Sequence, residues 1–296
     1  MPEELWPKTC DCCRRKTLAL GDAFCSACWD PWAKLSPLVQ FAREPQEVEA
    51  LLRRYEGAVD ELQRRSCQHV AEQFEESVSA GSQAVISMPV AFFQDLKADK
   101  RTLYATYSLL VDIGARKPAR PQDDANRRLV DTTLWGQSGQ YVRTAALSLD
   151  GSGVSSYGEV WVTLDDICVA YRSIVLEENS FDFVERHGLG SERIKTRPYG
   201  YLATWIDRGK LAIAKCGLDL KADTKENDFI GILLFTEGQR NTDRFLEVHI
   251  YGGFNWDAII AYKFDEKKLN ASWGDKKKQE IEMIVVEAAR SQADRS

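Results

Sequence analysis

The run Phe245-Leu246-Glu247-Val248-His249-Ile250-Tyr251-Gly252-Gly253 sets one carboxylate inside an apolar, strand-like stretch. An ionised carboxylate is costly to strip of water unless partners meet it, so Glu247 needs a reason to be there. Two readings stand. In the first, Glu247 is a half-exposed strand residue. In the second it faces a cleft, where a fixed carboxylate stabilises positive charge developing on a substrate and hydrogen-bonds a hydroxyl. His249 is two positions along, so strand alternation places it on the same face.

Other polar groups recur upstream: Gln140-Tyr141-Val142-Arg143-Thr144, Ser155-Ser156-Tyr157-Gly158-Glu159-Val160, Ala170-Tyr171-Arg172-Ser173 and Glu178-Asn179-Ser180-Phe181. Each has a plainer reading. Arg172 can pair with Asp165 or Glu177. Tyr157 and Tyr171 fit as ordinary sheet aromatics. Asn179-Ser180 can cap a helix starting at Phe181.

Taken in order, these residues resemble a bacterial family of ADP-ribosyltransferase-like proteins related to polymorphic and phage-defence toxins. The matching residues are Tyr157-Gly158-Glu159-Val160, Arg172, Asn179-Ser180 and Glu247-Val248-His249-Ile250-Tyr251-Gly252, and the likeness spans roughly 135 to 265. It implies NAD as substrate and cleavage of its nicotinamide–ribose bond, with Glu247 offsetting charge on the ribose. Arg143 or Arg172 would grip the pyrophosphate, a planar fork meeting phosphate oxygens. Tyr141, Tyr157 or Tyr171 would cover the nicotinamide. Ser180 or Ser156 would position Glu247, Asn179 would join the NAD-binding residues, and His249 would bind ribose or the acceptor. The chain departs from the family at Phe245, where Glu or Gln is usual, and in lacking a clear Ser-Thr-Ser strand. The first departure tilts the acceptor toward nucleic acid, with protein as the alternative. A toxic enzyme further implies a neutralising antitoxin or regulator protein.

Cys10 and Cys13, then Cys25 and Cys28, form two C-x2-C knuckles eleven residues apart. That spacing suits a structural tetrahedral zinc, with Cys12 able to stand in for Cys10. A closed four-thiolate site folds a module rather than catalysing. Its surface could contact nucleic acid through Arg14, Arg15 and Lys16, or dock a partner through Phe24, Trp29 and Trp32, or the module could simply pack on the main domain and stabilise it.

The supporting elements are then read from pattern. Val48, Leu52, Tyr55, Val59 and Leu62 mark an amphipathic helix from Pro45 to about Ser79. A second helical stretch runs from Pro89 to about Gly114. Arg116 to Asp124 reads as a linker or exposed loop. Beyond Leu129, strands are expected at Val142–Leu149, Tyr157–Leu164, Cys168–Leu176, Gly200–Ile206, Phe229–Thr236, Arg244–Tyr251 and Ala258–Phe264. The expected fold class is α+β: a zinc module (1–40), a helical region (41–128) and a mixed, sheet-rich catalytic domain (129–296). The stretch Ser191 to Arg197 with Lys210 and Lys215 is either an acceptor groove, stacking bases on Tyr199, Tyr201 and Trp205, or a surface loop.

A net charge of −6 argues against nonspecific nucleic-acid binding by the whole surface. No apolar stretch approaches the roughly 20 residues of a membrane span. No secretory signal is read at Met1 to Trp6, so a cytoplasmic location with reduced cysteines is expected. The rival functional reading is a non-enzymatic, zinc-anchored binding protein.

Overall fold

The computed structural model describes residues 36–99, 104, 106, 121–190, 197–240 and 242–265. The zinc ligands Cys10, Cys12, Cys13, Cys25 and Cys28 lie outside the described residues, as do most of 100–120 and the tail after 265.

The described chain opens with α1 (Pro37–Ala42), α2 (Pro45–Arg64) and α3 (Gln68–Gly81), then β1 (Gln83–Met88) and α4 (Val90–Ala98). Next come α5 (Pro121–Trp135), β2 (Val142–Ser148), β3 (Val160–Leu164), α6 (Asp166–Val169), β4 (Ser173–Leu176) and α7 (Ser180–His187). The remainder is β5 (Leu202–Thr204), α8 (Arg208–Cys216), α9 (Asp228–Leu233), β6 (Leu234–Phe235), β7 (Arg244–Phe245), β8 (Glu247–Tyr251) and β9 (Ile259–Phe264). This is an α+β architecture around a seven-stranded sheet ordered β5-β4-β8-β2-β1-β3-β9. Its pairings are antiparallel.

Four expected elements resolve differently. The long helix is two helices, because Ser66 takes a left-handed φ of 58° between them. The apolar stripe also starts late: Val48 and Leu52 are exposed, while Glu47 and Leu51 face inward. Phe229–Thr236 is mostly helix, with a two-residue strand at its end. The strands expected at Tyr157 and Cys168 begin only at Val160 and Ser173, after short helical turns.

β1 was not anticipated, and it is an interior strand of the sheet, between β2 and β3. Its first half registers with β2, Gln83 to Val85 opposite Ser148 to Ala146. Its second half registers only with β3, Val85 to Met88 opposite Thr163 to Val160. β2 continues toward Val142 along β8 alone. The sheet therefore forks where β1 leaves β2. On one face, α2, α3 and α8 join β1, β3, β8 and β9 in the larger core cluster. On the other, α1, α5 and α7 pack with Val142, Ile174 and Leu176. Chain from both sides of residue 128 thus builds one sheet, and α5 runs across that position.

Candidate active site

A cavity of about 460 Å³ opens in the fork. Five consecutive residues of β2, Val142 to Ala146, line it, facing Val85, Ser87 and Pro89. Alternating strand side chains cannot all reach one face. The cavity wall is therefore the exposed edge of β2, and the space is open to groups on both faces of the sheet.

Glu247 stands on β8 opposite Ala146 and is 4% exposed. Its Oε2 accepts the backbone N–H of Ser180 at 2.7 Å and lies 3.1 Å from Nε2 of His249. Ser180 begins α7, so its N–H and the helix dipole favour negative charge there. Nδ1 of His249 accepts the indole N–H of Trp135 at 3.0 Å. An indole only donates, so the imidazole proton sits on Nε2 and is donated to Glu247. Arg127 closes the group: it holds Asp131 at 3.1 and 2.9 Å, with one nitrogen 3.9 Å from Oε1 of Glu247.

Burial pushes the Glu247 carboxyl up, while the Nε2–H bond from His249, the charge of Arg127 and the Ser180 N–H pull it down, and the balance falls below the ordinary carboxylate range. Asp131 shifts the other way: its burial outweighs the pull of Arg127, and the nearby Glu247 adds to the rise. The Tyr157 phenol is raised by burial and by Glu247. One cavity thus contains a carboxylate biased toward its ion and a second biased toward its acid. Divergence of this kind is common where chemistry is done.

The sequence-derived candidates divide cleanly. Glu247, Asn179, Tyr157 and Arg143 line the cavity, with Ser180 and His249 bonded to Glu247 behind it. Asn179 does cap α7, its Oδ1 accepting Phe181 N–H, while its Nδ2 donates to the Tyr157 hydroxyl at 2.7 Å. One side chain therefore fixes both the helix start and the tyrosine. Gly158 permits that placement, since a Cβ there would meet the Met88 backbone at 2.4 Å.

Arg143 is 7% exposed and donates to the carbonyls of Tyr104 and Tyr141. Among the described residues no carboxylate pairs with it, and burial with the neighbouring Arg172 pushes it down to about 10. Arg172 is outside the cavity and pairs with neither Asp165 nor Glu177. Its guanidinium ties the carbonyls of Cys168, Tyr251 and Gly253. Tyr141 is exposed against Tyr251. Tyr141, Tyr171 and Ser156 are not among the cavity-lining residues.

Sequence reasoning missed Arg127, Asp131 and Trp135. They recur every fourth residue on α5, so one helix face delivers all of them. The Arg127–Asp131 spacing is a legible i,i+4 ion pair, but it adjoined a stretch read as a linker. Arg240 was missed too; its guanidinium lies 5.2 Å above the Tyr157 ring at the cavity.

Among the described residues no cluster of His, Cys, Asp or Glu is placed to hold a metal ion, and no helix is long and apolar enough to cross a membrane. No protein-family model and no curated protein matches this chain.

Proposed function

We propose that this chain is an NAD-dependent ADP-ribosyltransferase acting in the cytoplasm as a toxin or phage-defence effector. The observation that carries the reading is the buried Glu247 carboxylate, held ionised by Ser180 N–H, His249 and Arg127 at the wall of a cavity that also receives Arg143 and Tyr157. About 460 Å³ falls within the range of small-ligand sites.

In this reading the C–N bond between ribose and nicotinamide breaks, its electron pair going to the pyridine nitrogen, so nicotinamide leaves neutral. Positive charge grows on the ribose ring beside Glu247, which offsets it. The acceptor's nucleophilic atom bonds to the ribose carbon and gives up its proton. Arg143 is the better of the two arginines for the pyrophosphate: both donate to backbone carbonyls, but Arg143 lines the cavity and lacks a described counter-ion, whereas Arg172 lies outside it. Tyr157, steadied by Asn179, is the ring best placed for the nicotinamide. A structural zinc at Cys10, Cys13, Cys25 and Cys28 and a neutralising partner protein belong to the same proposal.

The test is incubation of the purified protein with NAD labelled in its adenylate half, in cell extract. Label in the nucleic-acid or protein fraction supports the reading. Label in neither fraction, with normal growth on expression, removes it in favour of a binding protein.

A further inference from the structure

We propose that Trp135 is a positioning residue for Glu247, acting through His249: its indole N–H fixes the imidazole in the Nε2–H tautomer that donates to the carboxylate. The inference rests on the transferase reading for its effect on turnover, and on geometry alone for the relay. Trp135 is 2% exposed and His249 0% exposed, so water does not supply substitute partners. The two bonds, 3.0 Å and 3.1 Å, run in series from α5 to β8.

The logic is one of donors and acceptors. A neutral imidazole has one of each. Were the proton on Nδ1, it would confront the Trp135 N–H, and the lone pair on Nε2 would confront the Glu247 carboxylate. Were both nitrogens protonated, Nδ1–H would again oppose a group that only donates. The observed tautomer is the one that satisfies all members. A buried polar network of this kind is stable only when complete. It also orients Glu247. With Oε2 occupied by Ser180 N–H and His249, Oε1 is the oxygen turned toward Arg127, and so the one left for a ribose hydroxyl. The ring stacking adds to the clamp: Trp135 meets His249 edge to face, with centroids 5.0 Å apart.

Nitrogen-15 NMR of the imidazoles reads the tautomer directly, and the chain has only three histidines to assign. The unaltered protein at neutral pH is expected to show His249 with a pyrrole-type Nε2 and a pyridine-type Nδ1. A protonated Nδ1, in either the other tautomer or the cation, overturns the relay without recourse to any variant. In Trp135→Phe, Glu247 still requires the proton on Nε2, so the expected change is a shift of the Nδ1 resonance as that nitrogen loses its indole donor. The kcat for NAD cleavage should fall about ten-fold, the scale for losing a supporting hydrogen bond, with KM little changed. A kcat that is unchanged in folded Trp135→Phe also overturns the positioning role. If the unaltered protein does not cleave NAD at all, the transferase reading fails, and the spectrum still decides the relay.

Discussion

At the scale of single residues, the structure separates two arginines that the sequence leaves equivalent. Replacing Arg143 with Gln is expected to raise KM for NAD by about ten-fold or more, because the lost group lines the cavity, and also to cost stability, because the carbonyls of Tyr104 and Tyr141 lose their charged donor. Arg172→Gln should lower stability by about 2–3 kcal/mol, since carbonyls held by a charged donor lose it, but leave KM for NAD little changed in the folded protein, because Arg172 does not line the cavity. Steady-state kinetics and denaturant unfolding on both variants check the contrast. The pH profile adds a second prediction. The Glu247 carboxyl is held below its ordinary 4.5, so its ionised form contributes stability above that pH, lost as pH falls through the lower folded value. NAD cleavage should therefore keep its Glu247-dependent acid limb below 4.5. Replacing His249 with Ala removes a main counterweight to burial, so the limb should move to higher pH.

At the scale of elements, one buried carboxylate seats a helix. Oε1 of Glu47 on α2 accepts the N–H groups of Gly200, Tyr201 and Leu202, and Oε2 meets Arg197 at 2.7 Å. These bonds fasten α2 to the start of β5. Glu47→Ala leaves the N–H groups and the arginine without their shared partner. It should cost about 3–5 kcal/mol in chemical denaturation, while NAD turnover per folded molecule is kept, because Glu47 lies outside the cavity. This residue also shows why part of the helix was misread. A buried Glu is invisible to a search for apolar stripes, so Val48 and Leu52 were assigned inward in its place. The break at Ser66 was equally hidden, since neither Gly nor Pro marks it. The strands β4, β8 and β9 were legible because Val, Ile, Leu and Tyr make up half or more of each within punctuated runs. β1 was not: Gln83-Ala84-Val85-Ile86-Ser87-Met88 is buried on both sides and shows no period-2 pattern.

At the scale of the whole molecule, the site exists because β1 departs from β2 and α5 covers the resulting fork. Glu247, His249, Asn179 and Ser180 were readable as an ordered set of polar residues on strand and helix edges. Arg127, Asp131 and Trp135 were not, because their meeting with β8 is a tertiary event across more than a hundred residues of chain. The central claim is that Glu247 stabilises a ribosyl cation formed from NAD. It is tested most directly by measuring free nicotinamide released from NAD by the purified protein and by Glu247→Gln, with the melting curves of both recorded. The account predicts release by the unaltered protein and a fall of about 10²–10³-fold in the variant, with the fold retained. Equal release by both proteins, or none from a well-folded unaltered protein, would contradict it.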